Sequence, residues 1–233
     1  SVSDIDTMVT LTKGGTATET GTGVGNPTDY ALNNTIVIKE GQISASITLT
    51  IQSDALDESS ETVMIDISTV TSGTEANLPA GEQRIVTITD DDPTPTVSLT
   101  AEKTTVTEPS ETNKITAILS QISGLNVTLV LGSTGSATAN TDYTLSSSTI
   151  TILAGNNSSS VTFSVTNDLV DEPTEKAIID IINVTNVIEN PQQQRTISIF
   201  DDDLPPTVSL SVASVTMNET EGSTTVTMTL SSV

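Results

Sequence analysis

Residues 89–99 read TDDDPTPTVSL, and residues 200–210 read FDDDLPPTVSL. Each stretch joins three consecutive aspartates to a proline-containing turn and then to an alternating apolar run. The second stretch follows the first by 111 residues, which is about the size of one immunoglobulin-like β-sandwich. We therefore expect tandem copies of one small β domain.

Apolar and polar residues alternate along most of the chain. Residues 43–51 alternate in this way, as do residues 115–119 and 161–165. A period of two places one face of a strand in a core and the other in water. Turn-forming segments such as residues 39–42 and 154–157 interrupt these runs. The pattern predicts an all-β fold of tandem Ig-like antiparallel β-sandwiches, with about seven strands in each.

The repeat also predicts the division of the chain. We expect residues 93–203 to form a complete repeat, residues 1–92 a repeat that lacks its first two strands, and residues 204–233 the first two strands of a further repeat. Two explanations fit these ends. The chain is either a segment of a longer tandem array, or residues 204–233 complete a neighbouring copy head-to-tail by strand addition. The start without Met or a signal peptide indicates a mature form or an excised piece.

Composition excludes several classes of function. The net charge is −23, which argues against nucleic acid and anionic membranes as partners. No apolar run is long enough to span a bilayer, so no membrane insertion is expected. The chain has no Cys and no His, which removes disulfides, thiol chemistry and the commonest ligands for transition metals. It has no Trp, so aromatic stacking platforms are weak.

The acidic residues recur at equivalent positions near predicted strand ends. In the first repeat they are Asp29, Asp54, Glu58, Asp90, Asp91 and Asp92, and in the second they are Glu108, Asp142, Asp168, Glu172, Asp201, Asp202 and Asp203. Loops that are distant in sequence converge at one end of a sandwich, where so many carboxylates would repel one another strongly. A site with only oxygen ligands selects calcium, which accepts six to eight oxygens.

A solvated acidic surface is the alternative to a calcium site. The recurrence of the aspartate triple together with an Asp-x-x-x-Glu-x-x-Glu run favours the site over that alternative. We expect Tyr30 and Tyr143 to pack in the core or against a loop. Glu61 and Glu175 fit a supporting position beside the ligands and ordinary solvation equally well.

Together these motifs resemble the Calx-beta domain. The matching elements are Gly-x-Ala-Thr followed by Asp-Tyr, the Asp-x-x-x-Glu-x-x-Glu run and a strand that ends in Asp-Asp-Asp. The family includes calcium-sensing domains of sodium–calcium exchangers and repeats in large bacterial surface proteins. The resemblance implies a seven-stranded sandwich with calcium bound by loops at one end, and it places the recurring acids of each repeat around such a site.

The sequence departs from the most acidic members of that family. Ser53 and Asn167 stand where the richer sites carry another Asp, which implies fewer or weaker ions. The first repeat also has no equivalent of Glu108. Glu219 follows Glu108 by 111 residues and would take that place if a neighbouring copy supplied it.

Three functions follow from this reasoning. The first is a calcium-binding structural module of an exported, secreted or cell-surface protein, bacterial in type, in which calcium stiffens the junctions of an adhesive stalk or filament. The second is a calcium sensor that couples micromolar calcium to a conformational change. The third is an enzyme such as a two-carboxylate glycosidase, which the repeated clusters and the lack of His disfavour, so no enzymatic activity is expected. The adhesion target is left open.

Overall fold

β-Strands dominate the structure, because Thr, Val and Ile at alternating positions favour a half-buried extended backbone. The structure, a computed structural model, describes residues 3–20, 28–72, 83–108 and 112–231. Within these ranges the only helix is the 3₁₀ helix Glu219–Glu221. No helix in the described part of the chain is long and apolar enough to span a membrane. The predicted all-β fold class is confirmed.

Internal contacts divide the chain into two units. Unit 1 comprises Ser1–Pro93 with Ser123–Leu125, and unit 2 comprises Thr94–Ile122 with Asn126–Val233. The repeat boundaries expected from the sequence stay a prediction, because a division by contacts does not mark where one repeat ends and the next begins.

Unit 1 is built from a four-stranded sheet and a short two-stranded sheet. Its described strands are β1 (Thr7–Gly15), β2 (Tyr30–Ala31), β3 (Thr35–Ile38), β4 (Thr50–Ile51), β5 (Glu61–Val70) and β6 (Arg84–Ile88). The larger sheet has the order β3-β1-β5-β6, and β2 pairs with β4. Tyr30, Leu32 and Val63 form its buried core, with Ile47 and Leu49 partly buried against them.

Unit 2 contains two five-stranded sheets. Its strands up to the second aspartate triple are β7 (Thr96–Ala101), β8 (Thr105–Thr107), β9 (Thr112–Leu119), β10 (Val127–Gly135), β11 (Tyr143–Leu145), β12 (Thr149–Ile152), β13 (Ser158–Val165), β14 (Glu175–Thr185), β15 (Ile188–Glu189) and β16 (Gln194–Phe200). The sheets have the orders β12-β10-β14-β16-β8 and β11-β13-β9-β7-β15. All pairs are antiparallel except β16 with β8 and β15 with β7.

One hydrophobic core fills the space between these two sheets. Leu99, Phe163 and Ile179 are fully buried members of it, and they come from different strands of both sheets. The Tyr143 and Phe163 rings stack with their centroids 4.5 Å apart. Tyr30 and Tyr143 are both buried, so their predicted packing in the core is confirmed.

A last hairpin follows the second aspartate triple. Strands β17 (Val208–Val212) and β18 (Val226–Leu230) pair antiparallel, and the 3₁₀ helix lies between them. Apolar residues of both strands, such as Leu210 and Met228, are largely exposed.

The alternation of residues 43–51 predicts a strand, and this prediction is wrong for most of the segment, because only Thr50–Ile51 forms a strand. The equivalent strand of unit 2, β13, is paired on both edges, with β9 and with β11. In the described part of unit 1, β4 pairs with β2 alone. The alternating pattern is present, but ladder hydrogen bonds form only where a partner strand lies alongside.

Candidate metal centres

The recurring acids of unit 2 lie where strands begin or end. Glu108 follows β8, Asp142 precedes β11, Glu175 begins β14, and residues 201–203 follow β16. Because β8 runs parallel to β16, and Glu175 lies opposite Ile199 near the end of β16, these acids share one end of the sandwich. The topology thus brings together carboxylates that are up to about a hundred residues apart in the sequence.

At this end the carboxylates form two groups of three. The candidate ligand oxygens within each group lie within 4.8 Å of one another, and the groups are Glu108, Asp202 and Asp203, and Asp142, Glu172 and Glu175. Glu108 is buried and the other members are exposed or half-buried. Each group therefore combines a spacing suited to one cation with access from solvent.

The charges of the two groups act on one another. Burial raises the pKa of Glu108, and the carboxylates of Asp168, Asp201 and Asp202 raise it too, although Glu108 accepts a hydrogen bond from the Asp168 backbone N–H at 3.4 Å. Burial, followed by the charges of Asp142, Asp168 and Asp201, raises the pKa of Glu172. Asp168 and Asp201 thus raise the pKa of one carboxyl group in each of the two groups.

Two carboxylate oxygens at this end lack a donor. Asp201 Oδ1 and Asp203 Oδ2 are buried, and neither has a hydrogen-bond partner among the described residues. A buried charged acceptor without a partner is costly. A bound cation would satisfy both oxygens, and a hard oxygen-preferring ion fits a donor set made only of carboxylates.

A repeated local motif fixes the position of Asp142. Gly135 ends β10 with a φ of 117°, a backbone that favours glycine, and a Cβ there would clash with the backbone oxygen of Lys176. Ala137 N–H donates to that same oxygen at 3.1 Å. The backbone N–H of Thr138 then donates to Asp142 Oδ2 at 2.6 Å. The Gly-x-Ala-Thr motif therefore folds the chain so that Asp142 is held at the site.

Unit 1 repeats this arrangement. The Thr18 backbone N–H donates to Asp29 Oδ2 at 2.5 Å, and Asp29 is buried. Ligand oxygens of Asp29, Asp54 and Glu58 lie within 4.8 Å of one another. These three acids line a cleft of about 400 Å³ together with Glu61 and Asp90, Asp91 and Asp92.

The cleft of unit 1 is strongly acidic. Burial raises the pKa of Glu58, and the charges of Asp54, Asp29, Asp90 and Asp92 raise it further. Burial and a side-chain hydrogen bond to Asp29 raise the pKa of Glu61 to about 7. The aspartate triple therefore lies in the same cleft as the acids of the loops, and the charges of Asp90 and Asp92 act on Glu58, as the repeat pattern predicts.

The structure brings most of the predicted site residues together in their own units. Asp168 and Asp201 lie beside the two groups of unit 2, and Asp90, Asp91 and Asp92 line the cleft of unit 1. Glu219 is different, because it lies in the 3₁₀ helix between β17 and β18, and the carboxylate groups found among the described residues do not include it. Its role in a site stays a prediction.

Sequence reasoning undervalued two pairs of acids. Glu175 belongs to the group of three carboxylates with Asp142 and Glu172. Glu61 forms a side-chain hydrogen bond with Asp29. Asp57 and Asp171 also recur at the same offset, and their charges raise the pKa of Asp92 and Asp203, respectively. The signal was present in the sequence, since the full repeated run reads Asp-x-x-Asp-Glu-x-x-Glu in both copies.

The fold and the acidic strand ends define a class of tandem β-sandwich modules with candidate cation sites. The family model of the Calx-beta domain matches residues 5–92 and residues 90–203. The chain therefore belongs to the Calx-beta domain family, and the resemblance seen in its motifs is confirmed.

Three of the solved structures that are similar to this chain are of Calx domains. The apo-form Calx CBD1 domain is 18% identical with a TM-score of 0.37, over 46% of this chain and 99% of that one. CBD12 from CALX1.2 is 10% identical with a TM-score of 0.33, over 84% and 88% of the two chains. The calcium binding domain CBD12 of CALX1.1 is 11% identical with a TM-score of 0.34, over the same shares. No curated protein sequence gives a significant match.

Proposed function

We propose that this chain is a calcium-binding structural repeat module of an exported cell-surface or filamentous protein. The observation that carries the proposal is the pair of buried oxygens, Asp201 Oδ1 and Asp203 Oδ2, that have no donor among the described residues. They lie in an acidic site where burial and neighbouring carboxylates raise the pKa of several groups. A bound divalent cation removes both penalties at once.

Calcium suits this donor set better than other ions. The chain offers no His or Cys, and calcium tolerates irregular arrangements of several carboxylates, whereas magnesium demands a near-ideal octahedron. The residues that would hold it in unit 2 are Glu108, Asp142, Asp168, Glu172, Glu175, Asp201, Asp202 and Asp203. In unit 1 they are Asp29, Asp54, Glu58, Asp90, Asp91 and Asp92. The ion would supply positive charge that binds these strand ends to one another.

A structural role fits the position of the sites along the chain. Pro93 and Pro95 follow the first aspartate triple, and Pro205 and Pro206 follow the second. Proline-containing connections are stiff, and a cation on the adjoining triple would fix the strand end from which each connection leaves. The recurrence of the same site in both units fits a repeated structural element better than a single reaction centre. We therefore propose a non-enzymatic role.

Calorimetric titration of calcium into the metal-free chain tests the proposal. We expect saturable binding with a Kd of about 10⁻⁴–10⁻³ M, the range of extracellular modules. Magnesium at the same concentration is the control and should bind more weakly. Absence of calcium binding at millimolar concentration would overturn the proposal, and a Kd of about 10⁻⁷–10⁻⁵ M would instead favour a sensor.

A further inference from the structure

The last hairpin is a second copy of the first hairpin of unit 2. In β17 and β18, Val208 lies opposite Leu230, and at the same places in β7 and β9, Val97 lies opposite Leu119. The register is identical after a shift of 111 residues. The hairpin therefore carries the strand pairing of a sandwich element.

The two hairpins differ in what covers them. Leu99 and Ala117 are fully buried, whereas their counterparts Leu210 and Met228 are 66% and 76% exposed. The same holds between the strands, where Met217 follows the buried Val106 by 111 residues and is 40% exposed. Each of these core positions keeps an apolar residue in the last hairpin, so its sequence retains a face suited to burial.

In the described part of unit 1, one strand lacks the neighbour that its counterpart has in unit 2. In unit 2, β13 is covered along one edge by β9. In the described part of unit 1, β4 pairs only with β2, and no strand lies where β9 would be. Leu49 is only partly buried although its counterpart Phe163 is fully buried. Val86 is likewise 37% exposed although its counterpart Ile197 is fully buried.

We propose that the β17–β18 hairpin of one chain adds to the β4 edge of unit 1 in a second copy of this chain. Edge strands with unpaired backbone groups accept further strands in this way. Transferring the β13–β9 register places Val226 opposite Ile47 and Thr227 opposite Ser46. The apolar residues of both strands then face the same core.

The order of elements along the chain favours a second copy over the same chain's unit 1. The hairpin of β7 and β9 follows the first aspartate triple and covers the strands that come after it in unit 2. The hairpin of β17 and β18 follows the second triple in the same way. The strands equivalent to those that it would cover lie in unit 1, which precedes the hairpin in its own chain, so a second copy would supply them in the same order.

Glu219 would connect the added hairpin to the acidic cleft of unit 1. In unit 2, Glu108 accepts a hydrogen bond from the Asp168 backbone N–H. Glu219 and Asp54 are the counterparts of these two residues, so the added hairpin would bring Glu219 to the cleft of unit 1. This part of the inference rests on the proposed calcium function, whereas the strand addition does not.

Engineered cysteines test the strand register, because the chain has no Cys of its own. Leu119 N–H donates to Asn157 O, so alternation makes Thr116–Ser160 a non-hydrogen-bonded pair, the type with the closer side chains. The counterparts are Thr227 and Ser46. We expect the full chain with Ser46→Cys and Thr227→Cys to form an intermolecular disulfide under mild oxidation.

The matched control moves one cysteine to the neighbouring strand. Ser46→Cys with Ser209→Cys places the second cysteine on β17, one strand and about 5 Å further from β4 than β18. Direct bridging is not expected there. Non-reducing electrophoresis should show dimers and longer chains for the first variant and monomers for the control. Equal crosslinking in both variants, or a disulfide confined to monomers, would overturn the proposal.

Light scattering of the cysteine-free chain provides a second measurement. We expect the mean mass to rise with concentration to at least twice that of a monomer. Val226→Asp with Met228→Asp puts charge on the face to be buried and should abolish this rise, whereas Thr229→Asp on the opposite face should not. A monomer at all concentrations would overturn the proposal.

Running both measurements in EDTA and in calcium separates the two parts of the inference. Crosslinking in EDTA at the predicted pair supports strand addition whatever the metal does. Calcium should strengthen association, and Glu219→Gln should reduce that gain. If association is the same with and without calcium, the link to the acidic site is wrong and the strand addition stands.

Discussion

Glu175 and Asp142 share a side-chain hydrogen bond at the acidic end of unit 2. Two carboxyl groups can share such a bond only when one of them carries a proton. Burial, this bond and the charges of Asp142, Glu172 and Glu108 raise the pKa of Glu175 to about 7. Near neutral pH this carboxyl pair is therefore partly protonated, at the place where the proposed function puts a cation.

The first prediction concerns the pH dependence of stability in the metal-free protein. Glu61 and Glu175 have a pKa of about 7 in the folded chain against 4.5 for an ordinary Glu. Between these values the folded state binds more protons than the unfolded state, so the free energy of unfolding falls as the pH rises. Melting curves in EDTA should show a lower melting temperature at neutral pH than at mildly acidic pH.

Matched variants isolate these two groups. Glu61→Gln with Glu175→Gln should flatten the dependence, because neither amide titrates. Glu102→Gln changes an exposed acid that no carboxylate group includes and should leave the dependence unchanged. A melting temperature that rises with pH over this range would contradict the assignment.

The second prediction concerns removal of the metal. Calcium that binds only the folded state stabilises it by mass action, by about 2.7 kcal/mol when its free concentration is 100 times the Kd. We expect chelation to lower the melting temperature and calcium in excess to restore it. Sodium chloride at matched ionic strength is the control for simple screening of the 30 acidic residues. Recovery that is equal with either salt would indicate a diffuse acidic surface.

The third prediction separates a site from such a surface by substitution. Asp203→Asn removes one ligand of a carboxylate group and one of the mutually repelling charges. It should raise the melting temperature of the metal-free protein. It should also weaken calcium binding by at least the roughly 10–100-fold that is typical for losing an outer-shell partner of a metal.

The control for this comparison is again Glu102→Gln, which makes the same change in net charge. Calorimetric titrations of the two variants give the ratio of their dissociation constants. If both variants weaken calcium binding equally, the binding depends on net charge and the proposed ligand set is incorrect.

The fourth prediction concerns the motif that positions Asp142. Gly135→Ala puts a Cβ against the backbone oxygen of Lys176 at a φ of 117°. It should destabilise the folded chain by at least about 1–3 kcal/mol, the usual cost of a strained backbone, and also weaken calcium binding. Gly155→Ala has a φ of 80° but nothing within 4 Å of the new Cβ, so its loss should be smaller. Denaturant unfolding measures both, and equal losses would contradict the steric argument.

Much of this protein follows from local pattern alone. Alternation predicts the strands, since a strand with one buried face must repeat every two residues. Recurrence predicts the tandem organisation, and it also singles out the acids that lie at strand ends. The motif around Gly135 and Asp142 can be recognised in the sequence for the same reason, because it recurs around Gly15 and Asp29.

The tertiary structure decided what depends on partners distant in the sequence. The alternation of residues 43–51 matches that of β13, yet only Thr50–Ile51 pairs, because strand pairing needs a neighbour that the pattern cannot supply. Likewise, the sequence fitted a supporting position beside the ligands and ordinary solvation of Glu175 equally well. Its hydrogen bond to Asp142 and its raised pKa arise only when the ends of separate strands meet, because burial and charge repulsion depend on distance in space.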